Sequence, residues 1–463
     1  MSLFISKLLN FRSTFYSLLI VFTLFAGGCA SIGKITNAPV EQLPGVEQRY
    51  DGKKASGDTL LILAFSGGGT RAAALSYGVL EELRDTHYQT DGHKTRLLDE
   101  VDEISSVSGG SFTSAYYGLF GDQIFDDYKD VFLYKDVQGD LTGRVFGLFP
   151  LLGRMFTTTS RTEVAINYYD KHIFRGKTFA DLQAADGPLI LINASDLNSQ
   201  SQFVFVQNQF DFLCSDLSQI KVARAVAASS AVPVVFAPIL FERHTDCNFQ
   251  KPAWLIDAEE RAVQEGDDRL QENVDSLDFY LDQENPPYVT LQDGGITDNL
   301  GLRTIFRNIN LSGGAKQVHD RYNKGALPPK RVVLIVVNAS TSTETDIGKS
   351  RQLPGIGDTL SVVTSMQLHL YNTETNVLFK QHLAEWAEAM STAEYPVTPY
   401  LIDLNVTEIE DLKERKFFNK IPTSFSLDKK QVDMLINTSK KLLQKHPEYQ
   451  KLLQDLGASS PEI

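Results

Sequence analysis

The feature that most constrains the fold is a series of short apolar runs, several of which end in small residues followed by a helical pattern. The first run covers residues 59–65, and the helical spacing of apolar residues that follows covers residues 72–83. Comparable runs lie at residues 189–194, 203–206, 288–291 and 332–337, and residues 101–107, a more polar segment, form a further predicted strand. Strands that alternate with helices form parallel sheets covered on both faces, so the sequence predicts an α/β fold with a mostly parallel central sheet flanked by helices.

These patterns divide the chain. We predict a polar tether over residues 29–57, the α/β domain over residues 58–345 and a helical C-terminal subdomain over residues 346–463. Within the α/β domain, residues 257–285 hold eleven Asp and Glu against two Arg. Such a charge run is typical of a solvated face or a loosely attached insertion.

The first 28 residues have the composition of an export signal. They contain Lys7 and Arg12 but no acidic residue, and their apolar run, residues 15–26, is shorter than the roughly 20 residues that span a bilayer. Small residues then precede Cys29, which resembles the lipobox of bacterial lipoproteins. This resemblance implies lipid attachment at Cys29, and since Ala30 is not Asp, an outer-membrane anchor facing the periplasm. The alternative is an ordinary signal peptide with an incidental cysteine.

Charge and cysteine content exclude other classes. The chain has 463 residues and a formal net charge of −14, so we expect no nucleic-acid partner, because phosphate binding needs clustered Lys and Arg. Three cysteines are too few for a disulfide scaffold or a thiolate-rich zinc module. If Cys29 carries lipid, Cys214 and Cys247 either pair in an oxidising compartment or remain separate thiols.

A glycine-rich turn follows the first strand: Ser66-Gly67-Gly68-Gly69-Thr70-Arg71. Three glycines allow positive φ and a close approach to a ligand, and the helix N-terminus behind them favours an anion. A nucleotide-binding phosphate loop would require a lysine after the last glycine, which is absent. We therefore predict a site for a transient oxyanion, with the N–H groups of Gly68 and Gly69 as donors and Arg71 nearby.

Two further turns carry candidate chemistry. Ser108 lies at the end of the second strand with Gly110 after it, as in a nucleophile elbow, although Ser106 occupies a position where that motif has glycine. Asp293 follows another strand and precedes two glycines, so its carboxylate can approach a partner closely. Each turn alone is commonly a plain connection. All three together indicate a ligand site at the carboxyl ends of the strands.

The glycine turn, Ser108 with Gly110, and Asp293 with its glycines resemble the patatin-like phospholipase family over about residues 58–340. The resemblance implies a lipid acyl hydrolase that uses a Ser–Asp dyad, with Ser108 as nucleophile and Asp293 as base. It places the oxyanion hole at the loop Gly67–Gly68–Gly69. The expected partners are a phospholipid or other lipid-ester substrate and, through the N-terminal anchor, a membrane. We expect no cofactor and no metal ion.

Two alternatives stay open. A Ser-His-Asp hydrolase would use His319 in addition to Ser108 and Asp293, although His319 lies in a polar segment typical of a surface loop. A non-catalytic envelope lipoprotein that binds acyl chains or a partner is the other, and Ser106 in place of glycine favours it. The apolar stretch 146–152 is consistent with an acyl pocket, a lid or ordinary core packing.

Overall fold

The computed structural model describes residues 33–45, 57–90, 92–146, 161–233, 235–245, 247–322, 327–341 and 353–458, together with residues 347, 349 and 351. The predicted signal peptide, Cys29, much of the tether and residues 147–152 lie outside the described residues. Within these ranges, no helix combines the length and the apolar character needed to cross a membrane.

The strands are β1 (Thr59–Phe65), β2 (His87–Thr90), β3 (His93–Arg96), β4 (Val101–Val107), β5 (Leu189–Asp196), β6 (Ser201–Val204), β7 (Ile239–Glu242), β8 (Tyr288–Asp293), β9 (Arg331–Asn338) and β10 (Thr398–Asn405). The helices are α1 (Gly69–Asp85), α2 (Gly109–Phe120), α3 (Ile124–Tyr128), α4 (Val137–Phe146), α5 (Arg161–His172), α6 (Phe179–Ala184), α7 (Gln207–Asp211), α8 (Val222–Ser229), α9 (Ala253–Glu265), α10 (Asp268–Asp278), α11 (Gly295–Asp298), α12 (Arg303–Leu311), α13 (Ala315–Tyr322), α14 (Ile356–Met390), α15 (Leu412–Asn419), α16 (Lys429–Lys445) and α17 (Pro447–Leu456).

The central sheet has the strand order β10-β9-β1-β4-β5-β8-β7, and β6 pairs with β5. Strands β10, β9, β1, β4 and β5 are parallel to one another. Strand β8 runs antiparallel to β5 and β7 antiparallel to β8, and β2 and β3 form a separate hairpin. The predicted mostly parallel α/β sheet flanked by helices is confirmed.

Both faces of this sheet are buried, which explains its uninterrupted apolar strands. On β9, Val333 and Ile335 face a large core that also contains residues of α1, α2 and α8. The alternate residues Val332 and Leu334 face a second core that contains Phe379 of α14. Side chains alternate between the faces of a strand, so each face of β9 needs its own helical cover.

The acidic segment 257–285 forms most of the helical pair α9 and α10. The pair begins just before the segment, and four of its apolar residues are buried in the large core: Leu255, Ala258, Leu270 and Val274. Of the two interpretations of this charge run, the structure favours a solvated face over a loosely attached insertion, because one side of the helical pair packs against the protein. The acidic residues occupy its solvated side.

The C-terminal part is mainly helical, as predicted, but it includes β10. This strand pairs with β9 from Thr398 to Asn405 and alternates buried and half-buried residues. Helix α16 packs against α1, with Leu435 and Ile436 in the large core. The described residues 353–458 therefore contribute a strand to the central sheet and helices to its core.

The two cysteines left open by the sequence are paired. Cys214 and Cys247 form a disulfide with their Cα atoms 5.4 Å apart. The bond joins the segment that follows α7 to the loop that follows β7, and tertiary structure alone brings these two segments together.

Candidate active site

Ser108 occupies a strained turn between β4 and α2. Its backbone has φ 49° and ψ −117°, a conformation rarely adopted by residues other than glycine. The Ser108 N–H donates to Ser229 Oγ at 2.8 Å. At Gly110, a Cβ would lie 2.6 Å from the Phe65 carbonyl oxygen, so the turn requires glycine there. The side chain of Ser108, only 5% exposed, is thus held at the carboxyl edge of the sheet, as in a nucleophile elbow.

Ser106 fits this turn although the elbow motif has glycine at its position. Its hydroxyl donates to the Leu191 carbonyl oxygen at 3.1 Å and accepts a hydrogen bond from Ser114 Oγ at 2.6 Å. The side chain is fully buried against β5. Because both of its hydrogen bonds are made to buried groups, Ser106 is accommodated at this position without disrupting the turn.

Asp293 reaches Ser108 because β8 runs against the direction of β5. Asp293 pairs with Ala194, the residue after Asn193, which pairs with Val107 at the end of β4. The Ser108 hydroxyl donates a hydrogen bond to the Asp293 carboxylate. Backbone N–H of Gly295 donates to the Oδ1 atom of Asp293 at 2.8 Å. The structure therefore brings the two predicted dyad residues into contact.

Desolvation makes the carboxyl group of Asp293 a weaker acid than an ordinary aspartate. Burial raises the pKa of its carboxyl from 3.8 to about 6, and the hydrogen bonds from Gly295 and Ser108 moderate this rise. Near neutral pH the group is ionised, yet it holds a proton more readily than an ordinary aspartate. These are the properties required of a general base.

Hydrogen bonding in the glycine loop decides which of its three N–H groups can serve as oxyanion donors. Gly68 and Gly69 have φ values of 141° and 61°, which glycine tolerates. The Gly67 N–H already donates to the Asn299 carbonyl oxygen at 2.9 Å. In the part of the chain that the structure describes, the N–H groups of Gly68 and Gly69 have no hydrogen-bond acceptor. These two groups remain available to an oxyanion, whereas Gly67 is occupied.

Arg71 was expected near the oxyanion but has another set of partners. Its buried guanidinium donates to the Ala339 carbonyl oxygen at 2.8 Å, to the Ile421 carbonyl oxygen, and to Thr423 Oγ1 at 3.1 Å. Desolvation lowers the Arg71 pKa to about 10, so the side chain stays charged at neutral pH. Arg71 therefore ties the glycine loop to the C-terminal part of the chain.

Sequence reasoning missed three residues of the site. Ser229 Oγ accepts a hydrogen bond from the Ser108 N–H, and the Asn299 carbonyl oxygen accepts one from the Gly67 N–H. At Gly109 a Cβ would overlap the carbonyl oxygen of Gly69, so the N-termini of α1 and α2 converge beside Ser108. Two helix N-termini add partial positive charge where an oxyanion would form. Only the Ser-Gly-Gly sequence hinted at Gly109, since an elbow commonly uses the N–H after its nucleophile.

His319 does not join this site. It lies on helix α13 rather than in a loop, and its ring contacts Asp320 and the Leu327 carbonyl oxygen. The Ser108 hydroxyl contacts Asp293 instead. Across the described ranges, no three or more His, Cys, Asp or Glu side chains form a group that could hold a metal ion.

The sheet and the elbow define an α/β protein with a serine at a strand-to-helix turn and a carboxylate in contact with it. Residues 63–305, more than half of the chain, match the model of the patatin-like phospholipase family, so the chain belongs to that family. A search of the curated proteins finds no match.

Solved structures that match this chain include human GIVD cytosolic phospholipase A2, at 12% identity and a TM-score of 0.44. That match covers 86% of this chain and 60% of the human chain. The same human protein in complex with methyl gamma-linolenyl fluorophosphonate matches at 14% identity, a TM-score of 0.39, and 86% and 59% coverage. The chain thus spans about 60% of the length of these proteins.

Proposed function

We propose that this protein hydrolyses carboxylic ester bonds of lipids, with Ser108 as nucleophile and Asp293 as general base. The observation that carries the proposal is the hydrogen bond between the strained Ser108 hydroxyl and a desolvated carboxylate, in a chain of the patatin-like phospholipase family. A Ser–Asp dyad needs a carboxylate that accepts the serine proton directly. The raised pKa of Asp293 supports that role.

In the first half of the reaction, Ser108 Oγ attacks the ester carbonyl carbon while its proton passes to Asp293. The carbonyl π electrons move onto oxygen, and the N–H groups of Gly68 and Gly69 stabilise the oxyanion. Each such donor contributes about 3–4 kcal/mol in other hydrolases. The C–O bond to the alcohol then breaks, the alcohol takes the proton from Asp293, and an acyl-enzyme remains.

In the second half, Asp293 takes a proton from water as the water oxygen attacks the acyl carbonyl. The same two N–H groups hold the second oxyanion. Collapse of this intermediate breaks the bond to Ser108 Oγ, which recovers its proton from Asp293. The products are a carboxylic acid and the regenerated serine, so the cycle consumes one water.

Exposed apolar side chains around this edge of the sheet support a lipid substrate. Val232 follows Ala231, whose carbonyl accepts the N–H of Asp293, and Ile296 lies three residues after Asp293. Further exposed side chains come from α14. We call this set the apolar rim: Val232, Val235, Ile296, Val363, Met366 and Leu370.

The position of α14 follows from two contacts. Asn372 Nδ2 donates to Ser340 Oγ just beyond the carboxyl end of β9, and Met390 belongs to the same core as Val397, which lies beside the opposite end. The helix between these points is about 27 Å long, close to the length of β9 at about 26 Å. Residues 356–371 therefore extend beyond the edge at which Ser108 lies.

The projecting part of α14 has an unusual composition for an exposed helix. Residues 359–373 contain no Asp, Glu, Lys or Arg in a chain that is 22% charged. Val363, Met366 and Leu370 lie on one helical face and are all exposed. An uncharged apolar face enters a lipid interface at low cost, because no charge has to be desolvated.

We extend the proposal to the location of the protein. Lipid attachment at Cys29 would anchor it in the bacterial envelope, facing the periplasm from the outer membrane. The disulfide between Cys214 and Cys247 supports export, because such bonds persist in oxidising compartments. Globomycin, which blocks lipoprotein signal cleavage, should cause the precursor to accumulate. A Cys29→Ser variant that still incorporates labelled palmitate would refute the attachment site.

A fluorophosphonate probe tests the activity and separates it from non-catalytic binding. We expect the probe to modify Ser108, and Ser108→Ala to lose both labelling and ester hydrolysis while keeping its circular dichroism spectrum and melting temperature. Ser111, the next serine on α2, supplies a control variant, Ser111→Ala, that should still be labelled. A folded wild-type protein that is neither labelled nor active would leave the acyl-binding alternative in place. The two buried hydrogen bonds of Ser106 explain how a serine fits at a position where the elbow motif has glycine. Ser106 is therefore no longer an argument for the acyl-binding alternative.

A further inference from the structure

A segment near the C-terminus, residues 421–425, lies against the glycine loop although it falls outside the range matched by the family model. We call it the strap. Its sequence is Ile-Pro-Thr-Ser-Phe, between α15 and α16. The Thr70 N–H donates to the Ser424 carbonyl oxygen at 2.8 Å. At Gly69, a Cβ would lie 2.5 Å from that same oxygen, so the strap and the loop are in direct contact.

Arg71 makes the second connection. Two of its three guanidinium nitrogens donate to the strap, at the Ile421 carbonyl oxygen and Thr423 Oγ1. The third donates to the Ala339 carbonyl oxygen beyond β9. A planar guanidinium that bonds in three directions fixes the relative positions of the segments it joins.

The strap also contacts the helix that carries the nucleophile. Phe425 is buried, and its ring centroid lies 5.4 Å from that of Phe112 on α2. Gln138 of α4 accepts from Ser424 Oγ at 2.8 Å and donates its backbone N–H to the Phe425 carbonyl oxygen at 3.2 Å. The strap is thus attached to the glycine loop, to α2 and to α4.

We propose that the strap is a positioning segment for the oxyanion hole, so that the family domain alone does not hold its glycine loop in the active geometry. This inference rests on the proposed function. The strap occupies the N–H of Thr70 and leaves those of Gly68 and Gly69 for the oxyanion. Small displacements of oriented donors lower the reaction rate strongly, because the stabilisation depends on geometry fixed before the reaction.

The test compares two buried arginines in the full chain. Arg71→Lys removes the planar contacts to the strap. Arg243→Lys is the matched control, because Arg243 is also buried and donates to the main-chain carbonyls of Tyr280, Asp282 and Asn285. The backbone N–H of Arg243 donates to the carbonyl oxygen of Pro287. Pro287 precedes Asp293 by six residues, about 20 Å along an extended chain, so Arg243 is far from the active site.

We expect Arg71→Lys to lower kcat for a soluble ester by about 10-fold to 100-fold with KM changed less than threefold. The rate of Ser108 labelling by a fluorophosphonate should fall in parallel. Arg243→Lys should lower the melting temperature similarly and keep kcat within twofold of wild type. Equal effects of the two variants on kcat would show a merely structural role and overturn the proposal.

Thr423→Val provides a second, milder variant that leaves Arg71 unchanged. It removes one acceptor of the guanidinium, and we expect kcat to fall about threefold to fivefold, with rescue by Thr423→Ser. An unchanged kcat in Thr423→Val overturns the proposal whether or not Arg71→Lys folds. The proposed function fails separately, if the wild-type protein itself is neither labelled at Ser108 nor active.

Discussion

Replacing Asp293 by Asn should produce a protein that is inactive and more stable than the wild type. The amide is nearly isosteric and can still accept the Gly295 N–H that now reaches Oδ1 at 2.8 Å. It can no longer take the Ser108 proton, so ester hydrolysis should fall by at least about 1000-fold. It also carries no charge in a desolvated site, which removes an energetic cost of the native state.

The size of the gain follows from the pKa. The carboxyl has a pKa of 3.8 when unfolded and about 6 in the native state, mainly because of desolvation. Between these values the native protein binds more protons than the unfolded chain, so stability decreases as pH rises through this window. The full loss of stability across this window is about 3 kcal/mol. Because the Asp293 side chain is partly exposed, solvent screening lowers this value, and we expect a loss of about 1–3 kcal/mol.

Urea unfolding of the wild type and Asp293→Asn at pH 8 and at pH 4 measures this difference. At pH 8 we expect the variant to be more stable by about 1–3 kcal/mol. At pH 4 most of the advantage should disappear, because the native carboxyl is then protonated. A variant equally or less stable at pH 8, or a gain that is the same at both pH values, would refute the account of a desolvated general base. Asp298→Asn, at a buried carboxylate outside the dyad, is the control for activity.

Three further outcomes are expected. For a soluble ester, kcat/KM should rise about tenfold per pH unit below pH 6 and level off above it, because Asp293 must be ionised in the free enzyme; a profile flat down to pH 4 contradicts this. Cys247→Ser should lower the free energy of unfolding by about 3–4 kcal/mol, as expected for the bond to Cys214 across 33 residues, and reductant should then have no added effect on urea unfolding. The double variant Met366→Ser and Leu370→Ser should lower hydrolysis of vesicle lipid at least about tenfold and leave a soluble ester unaffected; equal losses on both substrates would exclude a role of the apolar rim at the lipid surface.

Local patterns were sufficient for the framework of the fold. Strands β1 and β4 have the predicted bounds, and β9 extends the predicted run by one residue at each end. A strand buried on both faces requires a continuous apolar run, which is visible without knowing its neighbours. The turn at Ser108 was predictable for a similar reason, since its small flanking residues are a steric requirement of the turn itself.

Strand β10 could not be assigned in the same way. Its buried residues Tyr400, Ile402 and Leu404 alternate with half-buried ones, but Leu401 interrupts any alternation of apolar with polar residues, and helical patterns lie on both sides. Only its pairing with β9 decides that the segment is a strand. For the pair α9 and α10 the sequence left a solvated face and a loosely attached insertion open, because net charge describes the solvated side of a helix and not its buried side.

The sequence by itself determined which residue types stand at the carboxyl edge of the sheet: a serine elbow, three glycines before a helix and an aspartate after a strand. Tertiary structure alone decided which of their groups are free to act. The antiparallel course of β8 brings Asp293 to Ser108, Asn299 occupies the N–H of Gly67, and the strap engages Arg71. The reason is physical: turn chemistry and periodicity are local, whereas desolvation and unpaired donors depend on segments far apart in the chain.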